Sequence, residues 1–222
     1  MTSLSMPKAV IFDMDGLMVD SEPVWGKAWK IALAKEGLEL KPGFQEALAG
    51  SARPRALQLT HEFYGEGEGV TRAFEDHYDV VEQLFIEEGA PKMRGLDELL
   101  AWLSEKGLPL AVASSTARPS VEAVLEHAGI RRFFKAICTG DQGFPSKPAP
   151  DIFLAAAEGL GVEPGEAWVL EDSPAGIRAA IAGGFTPVMV PDLVQPDDEL
   201  RTSVPVFGSL LDVKAELEKL AN

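Results

Sequence analysis

Cysteine is almost absent from this sequence, which contains one, Cys138, in an apolar run. A single cysteine excludes a disulfide framework and a cysteine-rich metal site within the chain. A small thiol between apolar neighbours is more often buried than catalytic, so we expect Cys138 to be a packing residue. The three histidines, His61, His77 and His127, have no nucleophile near them in the sequence, and we expect packing or surface positions for them.

Long hydrophobic runs and basic residues are also scarce. No apolar stretch approaches the ~18 residues of a membrane-spanning helix, and residues 1–8 lack the apolar segment of a signal peptide. The formal net charge is −15, from 20 Lys and Arg against 35 Asp and Glu. The electrostatic field of a protein with this negative charge repels nucleic acid and anionic membranes. We therefore expect a cytoplasmic monomer with neither of these partners.

Short apolar runs alternate with amphipathic helical segments along most of the chain. The pattern predicts strands over 9–12, 108–113, 136–139, 167–170 and 187–190. It predicts helices over 96–106, 120–127, 151–160, 174–182 and 210–220. Repeated strand–helix alternation favours a parallel sheet covered by helices on both faces.

The stretch after the first strand departs from this alternation. It predicts helices over 22–36, 54–63 and 71–88 and no strand. The glycine-rich segment 65–69 contains two glutamates, which would repel a phosphate, so we interpret it as a helix–helix loop. The sequence therefore predicts an α/β core interrupted after its first strand by a helical insert.

Polar residues stand where the predicted strands end or a helix begins. They are Asp13, Asp15, Ser114, Lys147, Glu171 and Asp172. Parallel strands joined by right-handed crossovers all end on one edge of the sheet, where ligands of open α/β sheets bind. Taken singly, these residues also fit acidic turns, helix caps or a solvated lysine. Their joint order along the strand ends favours a single site.

Asp13 and Asp15 are two residues apart, so their side chains project the same way at a strand end. Gly16 then permits a tight turn that brings the backbone close to a ligand. With Asp172 as a third carboxylate, one site cannot keep all these charges without a cation. Oxygen-only ligands suit Mg²⁺.

A covalent phosphoryl transfer fits this set of groups. Asp13 would attack phosphorus to form an aspartyl-phosphate, and Asp15 would protonate the leaving oxygen and later deprotonate water. Mg²⁺ and Lys147 would offset charge on the phosphoryl oxygens. Ser114 would donate its hydroxyl to the same oxygens, helped by backbone N–H groups at the following helix start.

Four segments of the sequence resemble the motifs of the haloacid dehalogenase superfamily, nearest to its beta-phosphoglucomutase-like phosphatases with a helical cap. The first is Phe12-Asp13-Met14-Asp15-Gly16-Leu17, followed by Asp20-Ser21-Glu22; the others are Val112-Ala113-Ser114-Ser115, Ser146-Lys147-Pro148-Ala149-Pro150-Asp151-Ile152-Phe153 and Leu170-Glu171-Asp172-Ser173-Pro174-Ala175-Gly176. All four occur in the family's order, and the resemblance covers almost the whole chain.

The resemblance implies an α/β fold with a Rossmann-like parallel-sheet core, residues 1–20 and 92–222, and an inserted all-helical cap domain, residues 21–91. It implies Asp13 as the nucleophile and Asp15 as the acid/base. It implies Mg²⁺ bound by the Asp13 carboxylate, the Asp15 backbone carbonyl and Asp172, with Glu171 as a helper. Phosphate-binding residues are expected to be Ser114, Ser115, Lys147 and Gly16.

Substrate choice is expected to depend on the cap, where Arg53 resembles a cap arginine that grips a substrate phosphate. Trp25 stands where beta-phosphoglucomutases carry a histidine, and their cap lysine has no clear match in 74–82. These departures favour simple hydrolysis over a mutase. We take Trp25 and Arg53 as candidate substrate residues, while packing inside the cap is the alternative for Trp25 and Trp29.

These expectations define a Mg²⁺-dependent phosphatase for a small phosphorylated metabolite, such as a sugar phosphate. A phosphosugar mutase of the beta-phosphoglucomutase type is the alternative. A phospho-accepting signalling module is more distant, because receiver domains carry their acceptor aspartate on a later strand and lack a helical insert of this size. The cap is expected to close over the core, with hinges near 20–21 and 90–95.

Overall fold

A five-stranded parallel sheet forms the centre of the computed structural model, which describes residues 4–48, 51 and 53–221. The strands are β1 (Ala9–Phe12), β2 (Leu110–Ser114), β3 (Phe134–Thr139), β4 (Ala167–Glu171) and β5 (Thr186–Met189). Their order is β3-β2-β1-β4-β5, and every pair is parallel. The predicted parallel sheet is confirmed, with strand ends shifted by at most two residues.

Helices occupy most of the remaining described chain. They are α1 (Glu22–Lys35), α2 (Phe44–Leu48), α3 (Arg53–Tyr64), α4 (Glu68–Glu88), α5 (Leu96–Glu105), α6 (Arg118–His127), α7 (Asp151–Leu160), α8 (Pro174–Ala182), α9 (Asp198–Ser203) and α10 (Leu210–Leu220). The sequence did not predict α2 or α9, and α4 begins three residues earlier than expected. Among the described residues, none of these helices combines the length and apolarity needed to cross a membrane.

Both faces of the sheet are covered, because alternate residues of β1 point to opposite sides. Val10 and Phe12 join the cluster that includes residues of α5, α6 and α10. Ala9 and Ile11 join the second cluster, with residues of α7 and α8. All four residues of β1 are buried, as expected for a central parallel strand.

Helices α1 to α4 form the helical insert and have a core of their own. Trp29 is 3% exposed, its ring lies 4.8 Å from that of Phe44, and it stacks on His77 at 3.8 Å between ring centroids. The packing alternative therefore holds for Trp29. Trp25 is only half-buried and faces the cavity described below.

The two chain segments that connect the insert to the sheet domain run side by side. The backbone N–H of Asp20 donates to the carbonyl of Pro91 at 2.8 Å, and that of Met93 donates to Met18 at 2.8 Å. The hinge predicted near 20–21 and 90–95 requires these two connecting segments to lie next to each other. The C-terminal half of α4, which includes Leu84 and Phe85, also packs into the larger core cluster.

Candidate active site

Asp13 follows β1 directly and lies between the ends of β2 and β4. Its backbone N–H donates to the carbonyl of Leu170 at 3.0 Å, and the residue is 6% exposed. The chain then turns at Gly16, whose φ is +74°. A Cβ at Gly16 would lie 2.6 Å from Oδ2 of Asp172. The glycine therefore permits the close approach of this turn to Asp172, at the end of β4. The sequence predicted the tight turn, but it expected the turn to approach a ligand.

Lys147 connects the strand ends through its ammonium group. It forms ion pairs with Asp13 and with Glu171, the latter at 2.7 Å between Nζ and Oε1, and its side chain is 9% exposed. Burial alone would lower the Lys147 pKa, but the two carboxylates outweigh it and raise that pKa. A lysine held in this way is a permanent positive charge at the end of β1.

Three carboxylates lie close enough together to hold a metal ion. One oxygen from each of Asp13, Glu171 and Asp172 lies within 4.8 Å of the others. Burial, together with the charges of Glu171 and Asp13, raises the Asp172 pKa to about 10. Burial also raises the Asp13 pKa to about 7, against the opposing effect of Lys147. An all-oxygen donor set of this charge fits a hard dication.

Glu171 is the most constrained member of this cluster, with 1% exposure. Its Oε1 accepts from Lys147, and its Oε2 accepts from the backbone N–H of Ser173 at 2.7 Å and from the Ser173 hydroxyl at 2.9 Å. Ser173 also caps α8, because its Oγ accepts from the N–H of Gly176 at 3.1 Å. With both oxygens engaged, Glu171 is suited to orienting Lys147 and supporting the cluster's charge.

Asp15 contacts residues at the end of β2. Its Oδ2 accepts from the Thr116 hydroxyl at 2.8 Å and from the Ser114 hydroxyl at 3.4 Å. Burial raises the Asp15 pKa, and the Thr116 hydrogen bond opposes this rise. Ser115 is exposed. Thr116 is a site residue that the sequence analysis did not select; the only signal was its place two residues after Ser114.

A cavity of 240 Å³ lies among the insert helices. Its lining residues are Glu22, Trp25, Trp29, Gln45, Leu48, Ser51, Ala56, His77 and Tyr78. The His77 ring donates through Nδ1 to the carbonyl of Phe74, and burial lowers the His77 pKa to about 4. Burial, together with the charges of Asp192, Asp20 and Asp15, raises the Glu22 pKa.

Arg53 lies at the edge of this cavity. Its guanidinium carbon is 4.5 Å from the ring centre of Tyr78, a lining residue, and it forms an ion pair with Glu75. The Arg53 side chain is 57% exposed. The structure thus places Trp25 on the cavity wall and Arg53 against the ring of Tyr78, where its charge already has an acidic partner in Glu75.

The sequence pattern of haloacid dehalogenase-like hydrolases matches residues 7–184. Fructose-1-phosphate phosphatase YqaB of Escherichia coli (strain K12) is 33% identical over 181 residues, covering 82% of this chain and 95% of that protein. Hexitol phosphatase B of the same strain is 31% identical over 191 residues, covering 82% and 83%.

A solved structure of a beta-phosphoglucomutase has a similar fold. The structure of beta-phosphoglucomutase from Clostridium difficile superimposes with a TM-score of 0.72 at 26% identity, covering 97% of this chain and 99% of that one. The α/β core with a helical insert and the four motifs agree with the sequence match. The resemblance predicted from the sequence is therefore confirmed: the chain belongs to the haloacid dehalogenase-like hydrolase family.

Proposed function

We propose that this protein is a Mg²⁺-dependent phosphatase that hydrolyses a small phosphorylated metabolite through an aspartyl-phosphate on Asp13. The observation that carries the proposal is the position of Asp13. It is a buried carboxylate at the end of the central strand, paired with Lys147 and beside the carboxylates of Glu171 and Asp172. Membership of a hydrolase family that includes phosphatases supports it.

The proposed reaction uses two carboxylates in two roles. Asp13 attacks phosphorus while the ester oxygen leaves with a proton from Asp15; Asp15 then takes a proton from the water that hydrolyses the aspartyl-phosphate. Phosphoryl oxygens are bound in this proposal by Ser114, Ser115 and Lys147. Gly16 contributes by having no side chain in the space beside Asp172.

Mg²⁺ would be held by carboxylate oxygens of Asp13 and Asp172 and by the backbone carbonyl of Asp15, with Glu171 adjacent. The proximity of the carboxylate oxygens supports this ligand set. When bound, the ion supplies positive charge that offsets the charge of the phosphoryl oxygens. Lys147 supplies a second positive charge to the same oxygens, and its burial strengthens that interaction.

A sugar or polyol phosphate is the proposed substrate class. The insert cavity combines polar side chains, Glu22, Gln45 and Ser51, with the aromatic faces of Trp25 and Tyr78. Its volume suits the hydroxyl-bearing part of a small ester, and the names of the fructose-1-phosphate and hexitol phosphatases support this choice. In this proposal residues 21–91 act as the cap domain over the core, residues 1–20 and 92–222.

Phosphate release from a substrate panel tests the proposal. Purified protein with Mg²⁺ is assayed on phosphorylated sugars, polyols, nucleotides and small acids, with the Asp13→Asn variant as control. We expect wild-type release from sugar or polyol phosphates and none from the variant. No release from any ester, or equal release from both proteins, would refute the proposal.

A phosphosugar mutase is the second candidate, because the chain resembles beta-phosphoglucomutase over nearly its whole length. A mutase must pass its phosphoryl group to a second sugar hydroxyl before water reaches the aspartyl-phosphate. Incubation with hexose 1-phosphates, followed by separation of the products, distinguishes the two. We expect free phosphate without hexose 6-phosphate, since Trp25 replaces the histidine that those mutases carry.

A further inference from the structure

Thr116 lies in the loop between β2 and α6 and donates two hydrogen bonds into the site. Its backbone N–H donates to Ser114 Oγ at 3.0 Å, and its hydroxyl donates to Asp15 Oδ2 at 2.8 Å. The Ser114 hydroxyl is farther from the same oxygen, at 3.4 Å. Thr116 therefore makes the shorter of the two hydroxyl contacts to this carboxylate, and shorter bonds to a charged acceptor are the stronger ones.

These contacts make the two oxygens of Asp15 inequivalent. Oδ2 accepts from two hydroxyls, whereas Oδ1 is buried and has no hydrogen-bond partner among the described residues. A buried polar atom without a partner is costly, and such atoms are found where a ligand or a catalytic function explains them. The nearby Ser21 hydroxyl lowers the Asp15 pKa, but it makes no hydrogen bond to Oδ1. With Oδ2 engaged, Oδ1 is the oxygen that has no hydrogen bond to give up when a substrate binds.

We propose that Thr116 is a positioning residue for the acid/base Asp15, whose hydroxyl holds Oδ2 so that Oδ1 exchanges the proton. This inference rests on the proposed phosphatase function. In the first step the bond from Asp13 to phosphorus forms and the ester P–O bond breaks. The proton moves from Asp15 Oδ1 to the departing oxygen. In the second step Oδ1 takes the proton of the attacking water.

The leaving group separates this role from a merely structural one. An alkoxide leaves poorly without a proton, whereas p-nitrophenolate leaves readily without one. The comparison uses kcat/KM, which covers only the steps up to departure of the leaving group, because the later hydrolysis of the aspartyl-phosphate is the same for both esters. Loss of the proton donor's orientation must therefore lower kcat/KM far more for alkyl phosphates than for p-nitrophenyl phosphate. A general disturbance of the loop would slow both equally.

The test compares Thr116→Val, which keeps the shape and removes the hydroxyl, with Thr116→Ser, which keeps the hydroxyl. The substrates are the alkyl phosphate that wild type hydrolyses best and p-nitrophenyl phosphate. We expect Thr116→Val to lower kcat/KM for the alkyl ester by about 10²-fold, the lower end of the usual range for an acid/base contribution. Its kcat/KM for the aryl ester should fall far less, and Thr116→Ser should restore kcat/KM for the alkyl ester.

Thr202→Val is the matched control, because among the described residues the Thr202 hydroxyl bonds only to backbone carbonyls of α9, those of Asp198 and Glu199. It should leave both activities unchanged. Equal losses of kcat/KM on the two esters, or an unchanged kcat/KM in Thr116→Val, would overturn the inference while the phosphatase proposal stands. Should Thr116→Val not fold, Thr116→Ala removes the same hydroxyl. It is judged by the same comparison of the loss on the alkyl ester with the loss on the aryl ester. A wild type inactive on every ester would overturn the proposed function, and this inference with it.

Discussion

Replacing Gly176 by alanine tests how closely the residues around Lys147 are packed. A Cβ at Gly176 would lie 1.7 Å from Oε1 and 2.0 Å from Cδ of Glu171. Glu171 cannot move aside freely, because Lys147 donates to its Oε1 at 2.7 Å and the N–H of Ser173 donates to its Oε2 at 2.7 Å. The substitution must therefore displace a buried, fully bonded carboxylate.

The expected effect combines one stabilising and two destabilising contributions. Alanine in place of glycine inside a helix normally stabilises a protein by about 0.5–1 kcal/mol. Forcing an extra methyl into filled space costs about 1–3 kcal/mol, and a lost hydrogen bond to a buried charged group costs about 1–3 kcal/mol more. We expect a net loss of about 1–5 kcal/mol, which lowers Tm by roughly 2–20 °C in a chain of this size.

Thermal unfolding followed by circular dichroism measures this change. Gly165→Ala is the matched control, because the nearest heavy atom to a Cβ there is 3.9 Å away, at the carbonyl of Gly184. The control should unfold near the wild-type Tm. A Gly176→Ala variant with an unchanged or higher Tm would refute the argument that Glu171 is fixed against α8. Phosphate release should fall as well, since Glu171 orients Lys147.

Three further perturbations follow from the structure. His77→Gln should flatten the acid dependence of stability: burial lowers the His77 pKa to about 4, with the charge of Arg53 adding to this. The wild type therefore keeps the full His77 contribution to stability above about pH 6.5. It loses up to about 3 kcal/mol as the pH falls from about 6.5 to about 4. Urea unfolding at pH 7 and pH 5 measures the difference, and equal pH dependence in both proteins would contradict it. Gly16→Ala should abolish phosphate release, because φ at this residue is +74° and the new Cβ would lie 2.6 Å from Asp172 Oδ2; near-wild-type activity would contradict the close approach. Chelation by EDTA should stop turnover and excess Mg²⁺ should restore it, whereas turnover that survives chelation would contradict the metal's role.

The parallel sheet was predictable because each of its strands is a short apolar run between turn residues, and the intervening helices carry the periodicity of a buried face. Helix α2 could not be predicted, because it has only five residues and follows Pro42-Gly43, a helix-breaking pair. Its stability comes from the contact of Phe44 with Trp29, 4.8 Å between ring centroids. Local sequence patterns give no information about such a contact between separate segments.

Helix α9 was missed for a similar reason. It has six residues, and one of its described contacts is the cap in which Asp197 accepts from the N–H of Leu200 at 2.9 Å. An aspartate before a short polar segment fits a turn as well as a helix start. Tertiary packing of Leu200, which is 2% exposed, selects the helix.

The sequence could predict those site residues that are brought together by the ends of the parallel strands. Parallel strands bring their carboxyl ends together, so Asp13, Lys147 and Asp172 could be grouped from their order in the chain. The contact of Thr116 with Asp15 joins residues 101 positions apart, and in the sequence Thr116 fits a helix cap equally well. Likewise, only the three-dimensional structure reveals that Gly176 leaves space for Glu171.

Trapping the covalent intermediate tests the central claim most directly. Wild-type protein with Mg²⁺ and a hydrolysed sugar or polyol phosphate is quenched in acid within the first turnovers, and its peptides are analysed by mass spectrometry. The account predicts one phosphoryl group on the peptide that contains Asp13, and none in the Asp13→Asn variant. A phosphoryl group on another residue, or continued turnover in Asp13→Asn, would contradict it.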